Sequence, residues 1–186
     1  AIFDRTLAEH DKRGMGTTTT VMVLFSRRYL IGQVGDSRAY LLREGQLLQL
    51  TKDHSYVQEQ VYAGLLTPEN ARTHPYSNVI TRCVGASMDV VPDIYFGTLD
   101  AGDVLLLASD GLTGMLEDEH LARILANGGE PQAWVDRMVN EANRRGGPHD
   151  CAPGWRLGGH DAVDDPDGPR EDRDRAQHRT DHRPGE

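Results

Sequence analysis

Residues 104–112 read Val-Leu-Leu-Leu-Ala-Ser-Asp-Gly-Leu. Five apolar residues make a short buried strand. It ends on a carboxylate, Asp110, and Gly111 lets the chain turn at once. A second stretch repeats the pattern. Leu30-Ile31-Gly32-Gln33-Val34-Gly35-Asp36-Ser37-Arg38-Ala39-Tyr40-Leu41 is an apolar strand, an acidic bend and another strand. Carboxylates delivered to strand ends are what a hard cation such as Mg²⁺ or Mn²⁺ requires, because these ions take oxygen ligands.

Around these stretches the chain punctuates itself. Residues 2–12 read as the end of a helix. Thr17 to Phe25 is rich in Thr and Val and reads as a strand, and Ser26-Arg27-Arg28 as a turn. Tyr29–Val34 and Arg38–Arg43 are strands, and Glu44-Gly45 turns the chain back into Gln46–Leu50. Tyr56–Ala63 is helical. Thr67-Pro68-Glu69 starts a helix, with Thr as N-cap and Pro in the first turn. Asn78–Val84, Val91–Thr98 and Asp103–Ala108 are expected strands, and Glu117–Ala126 and Pro131–Arg144 helices. Strands, a helical insert, more strands and then helices predict an α+β fold with a largely antiparallel sheet.

Composition bounds the function. The chain has 186 residues and a net charge of −9, which argues against a nucleic-acid partner. No run of about 18 apolar residues occurs, so no membrane segment is expected, nor a signal peptide. Two cysteines, Cys83 and Cys151, do not make a disulfide framework. This fits a reducing compartment and a cytoplasmic location. Cys83, in an apolar stretch, is expected to be a buried structural thiol. Residues 149–186 hold 8 Asp, 6 Arg and 4 His but no Ile, Phe, Tyr or Met. Such a segment cannot offset its ordering entropy by burial. The expected division is therefore 1–148 folded and 149–186 disordered.

Five motifs occur in order: Gly14-Met15-Gly16-Thr17-Thr18, Ile31 to Arg38, Leu50-Thr51-Lys52-Asp53-His54-Ser55, Ile80-Thr81-Arg82-Cys83-Val84-Gly85, and Gly102 to Leu112. Together they resemble the metal-dependent Ser/Thr protein phosphatases of type 2C (PPM-type), in their bacterial form. The resemblance implies two packed antiparallel β-sheets flanked by helices, here an incomplete αββα sandwich. It implies two core Mn²⁺ or Mg²⁺ ions, with a third in bacterial members. Asp110 matches a core metal ligand and Asp36 a ligand of the third ion. Residues 53–80 match the flap beside the site. The implied reaction is hydrolysis of phosphoserine and phosphothreonine in proteins by a water that the ions bridge and activate. Phosphorylated proteins and bacterial Ser/Thr kinases are the implied partners of a monomer.

The chain departs from the family pattern twice. The phosphate-gripping Arg, the Asn-Glu-Asp motif and the Asp-Gly-X-Gly-Gly-His motif do not occur, and Ala1 is expected to lie inside a longer protein. After Gly146-Gly147 the expected Asp-Asn-X-Thr and final strand are replaced by Pro148-His149-Asp150-Cys151-Ala152. One extra base near the codons of Gly146 and Gly147, in the gene or in its sequencing, would account for this. Reading from the second base of the Gly147 codon permits Asp-His-Thr-Thr-Val-Leu-Leu-Val. An incomplete metal site predicts an inactive polypeptide. The alternative is a catalytically dead phosphatase-like module that binds a kinase or phosphoprotein. Arg38 and Arg82 could meet phosphate, but are read rather as paired with a sheet-edge carboxylate or solvated, and Lys52-Asp53-His54 as the loop entering the flap. The histidines of 149–186 are read as part of that segment's bias.

Overall fold

A computed structural model describes residues 2–146. The chain opens with α1 (Ile2–Ala8) and a single 3₁₀ turn at His10–Lys12. Six strands and five further helices follow. They are β1 (Thr19–Phe25), β2 (Arg28–Val34), β3 (Arg38–Arg43), β4 (Gln46–Gln49), α2 (Tyr56–Tyr62), α3 (Pro68–Arg72), β5 (Asp93–Thr98), β6 (Val104–Ala108), α4 (Asp110–Thr113), α5 (Asp118–Ala126) and α6 (Pro131–Arg144). The strands form two antiparallel sheets, ordered β1-β2-β5 and β4-β3-β6. The α+β expectation of two antiparallel sheets with helices holds.

Local chemistry explains the sharpest boundaries. Ser26 and Glu44 take positive φ of 54° and 51° at the β1–β2 and β3–β4 turns, and Gly45 follows Glu44 at 79°. At Glu44-Gly45, positive φ at both central residues matches the right-handed strand twist that a two-residue hairpin needs. The Thr67 hydroxyl accepts the Asn70 N–H at the start of α3, and the Ser55 hydroxyl accepts the Gln58 N–H at the start of α2. Each satisfies a backbone donor that a helix start leaves free.

Strand period then sorts side chains into two cores. Tyr29 and Ile31 from β2 and Ala39 from β3 are buried together, with Met22, Leu50, Tyr95, Leu99 and Leu107 around them, so residues of both sheets share this layer. On the other face of the second sheet, Tyr40 and Leu42 meet Leu112, Leu116, Leu121, Ile124, Leu125, Met138 and Ala142 from the helical segment. Burial of such a side chain contributes roughly 1.5–3 kcal/mol. The remaining face of the first sheet carries Val21, Val23, Phe25, Leu30, Ile94 and Phe96, all exposed, Phe96 by 79%.

The chain passes between sheets at two places. Gly35-Asp36-Ser37 links β2 to β3, and Leu99–Asp103 links β5 to β6. The second crossing is pinned by charge. Arg43 donates to Asp103 through Nε at 2.9 Å and through Nη2 at 2.6 Å, and Arg27 Nη2 reaches Asp100 at 3.0 Å.

Three expectations are corrected. Asn78–Val84 forms no strand. Its pairing partners change along its length, with Ile80 bridging Ser55 and Val84 bridging Thr17. Among the described residues no single neighbour runs beside it, so no ladder propagates. The chain also does not turn at once at Gly111. Asp110 and Gly111 begin the short helix α4, and Gly111 is absent from the positive-φ glycines. The end of β6 feeds this helix, so conformational freedom at Gly111 is not used. In addition, Cys83 is only partly buried, because it lies in that irregular segment. The readings made for 149–186, for its boundary at 148 and for the shifted frame fall outside the described residues.

Candidate metal centre

The two candidate carboxylates reach one place through strand register. Arg38 opens β3 and pairs with Ala108, the last residue of β6. Asp36 lies two residues before Arg38, and Asp110 two residues after Ala108. The ladder ends there, so the bend and the start of α4 leave the same end of the sheet, and Asp36 feels the charge of Asp110. One comes from the crossing between sheets and the other from the first turn of α4. Asp36 is partly buried and Asp110 is exposed.

Electrostatics reflect that proximity. Burial first, and then the negative charge of Asp110, push the Asp36 carboxyl above its ordinary range. Two like charges held near one another lower their energy by taking up a proton or a cation between them. The donor set, two carboxylates, suits a hard cation. Among the described residues no group of three or more His, Cys, Asp and Glu side chains converges. The pair thus fits one side of an oxygen-lined cation site and does not by itself fit a two-metal centre.

The other motifs surround the Asp36 bend. Gln33 is fully buried, and its Nε2 donates to the Gly35 carbonyl at 3.1 Å and the Ser37 carbonyl at 3.0 Å. The Thr20 hydroxyl donates to the Ser37 carbonyl at 3.2 Å. Gly35 has a φ of +113°, and a Cβ there would stand 2.4 Å from Thr18 Cγ2, so only glycine fits. Behind the bend, Arg38 forms a bidentate pair with Asp53. Nε lies 3.0 Å from both Asp53 oxygens, and Nη2 lies 2.7 Å from Oδ2. Arg38 Nη1 also donates to the Tyr40 hydroxyl at 3.2 Å, and that hydroxyl donates to Asp118 Oδ1 at 3.1 Å. Asp53 more than offsets the burial of Arg38 and holds its guanidinium firmly charged. Arg82 pairs with Asp93, with Nη1 2.6 Å from Oδ1. Both arginines engage carboxylates, as expected from the sequence.

Sequence reasoning missed how much of this scaffold converges on Asp36. Gln33, Thr18 and His54 hold the bend, although each belongs to a motif already visible in the chain. Asp93 gave a weaker signal, an acidic residue opening an apolar strand.

The chain is similar to known proteins over most of its described length. The family described as Protein phosphatase 2C matches residues 4–148. Protein phosphatase PhpP of Streptococcus pneumoniae is 42% identical over 137 residues, covering 73% of this chain and 55% of that protein. Serine/threonine phosphatase stp of Listeria welshimeri is 37% identical over 140 residues, covering 75% and 56%. Among solved structures, serine/threonine phosphatase Stp1 from Staphylococcus aureus superposes with a TM-score of 0.76 at 36% identity, covering 78% of this chain and 57% of that one. The catalytic domain of the serine threonine protein phosphatase PstP, in complex with 2 manganese ions, gives a TM-score of 0.71 at 37% identity, covering 79% and 60%. The chain spans little more than half the length of these curated relatives.

Proposed function

Because this chain belongs to the protein phosphatase 2C family, we propose that it forms the Asp36–Asp110 side of the cation site of a protein-serine/threonine phosphatase. The substrates are phosphoserine and phosphothreonine in proteins, and the partners include the Ser/Thr kinases whose products it reverses. The setting is the cytoplasm and the enzyme is a monomer. Among the described residues no helix is long and apolar enough to cross a membrane.

One observation supports the reading: β3 and β6 end side by side at Arg38 and Ala108, each two residues from a candidate carboxylate, and the charge of Asp110 acts on Asp36. Asp36 and Asp110 would hold Mn²⁺ or Mg²⁺ through carboxylate oxygens. Such an ion supplies positive charge beside a phosphate ester. The chain's own residues do the positioning. Gln33 and Thr20 hold the crossing, and Arg38 with Asp53 anchors the start of β3. Residues 53–80 flank the bend as the flap, since His54 and Ser55 lead directly into α2.

The test is Mn²⁺ binding to the 186-residue polypeptide, read by electron paramagnetic resonance. The expected result is weak binding that either Asp36→Asn or Asp110→Asn removes. Binding that survives both substitutions would overturn the assignment. The same polypeptide is expected to leave a phosphothreonine peptide intact, since two carboxylates do not complete a two-metal centre. Mn²⁺-dependent release of phosphate would refute that expectation.

A further inference from the structure

One residue grips Gly35 by both of its backbone groups. The Gly35 N–H donates to His54 Nδ1 at 3.0 Å, and the Gly35 carbonyl accepts the His54 N–H at 2.9 Å. His54 is 6% exposed, which is unusual for a residue at the mouth of a flap. We propose that His54 is a positioning residue, which fixes the Gly35–Asp36 peptide and so aims the Asp36 carboxylate, with Asp93 orienting its ring. The inference rests on the reading of Asp36 as a cation ligand.

Planarity of the peptide bond makes the argument quantitative in direction. The Gly35 carbonyl and the Asp36 N–H lie in one rigid unit. Holding that carbonyl therefore sets where the Asp36 Cα stands. Two donors hold it, the His54 N–H and Gln33 Nε2. The Gly35 φ of +113° is open to glycine and closed to other residues, so the bend keeps this shape only with Gly at 35. His54 Nδ1 is the acceptor for the Gly35 N–H, so the neutral ring carries its proton on Nε2.

That second nitrogen faces Asp93. Nε2 is buried and has no well-directed hydrogen-bond acceptor among the described residues, while Asp93 Oδ2 stands 3.1 Å away. A carboxylate at this distance favours a proton on Nε2 electrostatically, as carboxylates do behind histidines that serve metal sites. Asp93 is itself anchored through Oδ1 by Arg82 Nη1 at 2.6 Å. Partial burial opposes its ionisation, but the bond from Arg82 and the neighbouring His54 prevail and hold its carboxyl below the ordinary range. The chain of contacts runs from β5, through the imidazole, to the residue preceding Asp36. No ring nitrogen needs to touch substrate or cation for this role.

The experiment uses the full 186-residue polypeptide, labelled with ¹⁵N. The expected result is the Nε2–H tautomer, with scalar coupling between the Gly35 amide nitrogen and His54 Nδ1. An Nδ1–H tautomer would overturn the inference without any variant being made. His54→Ala is expected to speed amide exchange at Gly35 and Asp36 at least tenfold and to weaken Mn²⁺ binding by about 10- to 100-fold. His54→Asn, whose side-chain oxygen can accept the same N–H, is expected to restore most of both, whereas a merely space-filling role predicts equal losses. Asp93→Ala gives a milder version if His54→Ala fails to fold. If wild type binds Mn²⁺ and His54→Ala binds it equally well, the positioning inference fails and the cation reading stands. If wild type binds no Mn²⁺ while Asp36 exchange still depends on His54, the cation reading fails and the positioning stands.

Discussion

Removing Asp53 exposes how the start of β3 is held. In the native fold Arg38 is 21% exposed and Asp53 8%, and three N···O separations of 2.7–3.0 Å join them. In Asp53→Ala the guanidinium keeps only the Tyr40 hydroxyl, 3.2 Å away, and a fringe of water. Exposed ion pairs contribute at most about 1 kcal/mol, but breaking a buried one costs about 3–5 kcal/mol because the other charge stays behind. Arg38 retains some solvent, so the lower limit applies, about 3 kcal/mol. For a folded body of this size that lowers the melting temperature by roughly 6–12 °C. Urea unfolding of wild type, Asp53→Ala, Arg38→Met and the double variant Arg38→Met/Asp53→Leu gives the numbers. The double variant is expected within about 1 kcal/mol of wild type, since no charge remains to be stranded. A loss below 1 kcal/mol in Asp53→Ala, or a double variant as unstable as the two single losses added, would refute the reasoning.

Other consequences follow from neighbouring geometry. Gly35→Ala is expected to destabilise by about 1–3 kcal/mol; Thr18→Gly in the same chain relieves only the clash, and full recovery would show that φ is not strained. The hydrogen bonds from Arg43 hold the Asp103 carboxyl below its ordinary 3.8. Its contribution to stability is therefore present above that pH and lost as pH falls toward the depressed value. Asp103→Asn is expected to flatten the acid limb of melting temperature against pH, and an unchanged limb would count against the pair. The apolar face with Val23 and Phe96 is expected to bind anilinonaphthalene sulfonate. Val23→Lys with Phe96→Lys should at least halve the fluorescence, and unchanged fluorescence would place the dye elsewhere.

Much of the local structure was legible because its causes are local. Glu44-Gly45 announced its hairpin, Thr67-Pro68 its helix start, and the Pro131–Arg144 helix its full extent. Asn78–Val84 misled because strand propensity speaks of side chains that fit a sheet, not of whether a neighbouring strand runs alongside. Here Ser55 and Thr17 offer one bridge each. Asp110 misled in a smaller way, since the Asp-Gly pair served a helix start rather than a turn.

The same division governs the site. That Asp36 and Asp110 each stand at the end of an apolar strand was readable from the residues alone, because alternation and turn chemistry are written residue by residue. So was the place of Gly35 before one of them. That the two carboxylates come near one another depended on the packed fold, because register between distant strands rests on which backbone groups pair, here Arg38 with Ala108. Only the tertiary structure, likewise, brought His54 onto both backbone groups of Gly35. A hydrogen bond between segments so far apart in sequence has no local signature, and its geometry exists only once both sheets are packed.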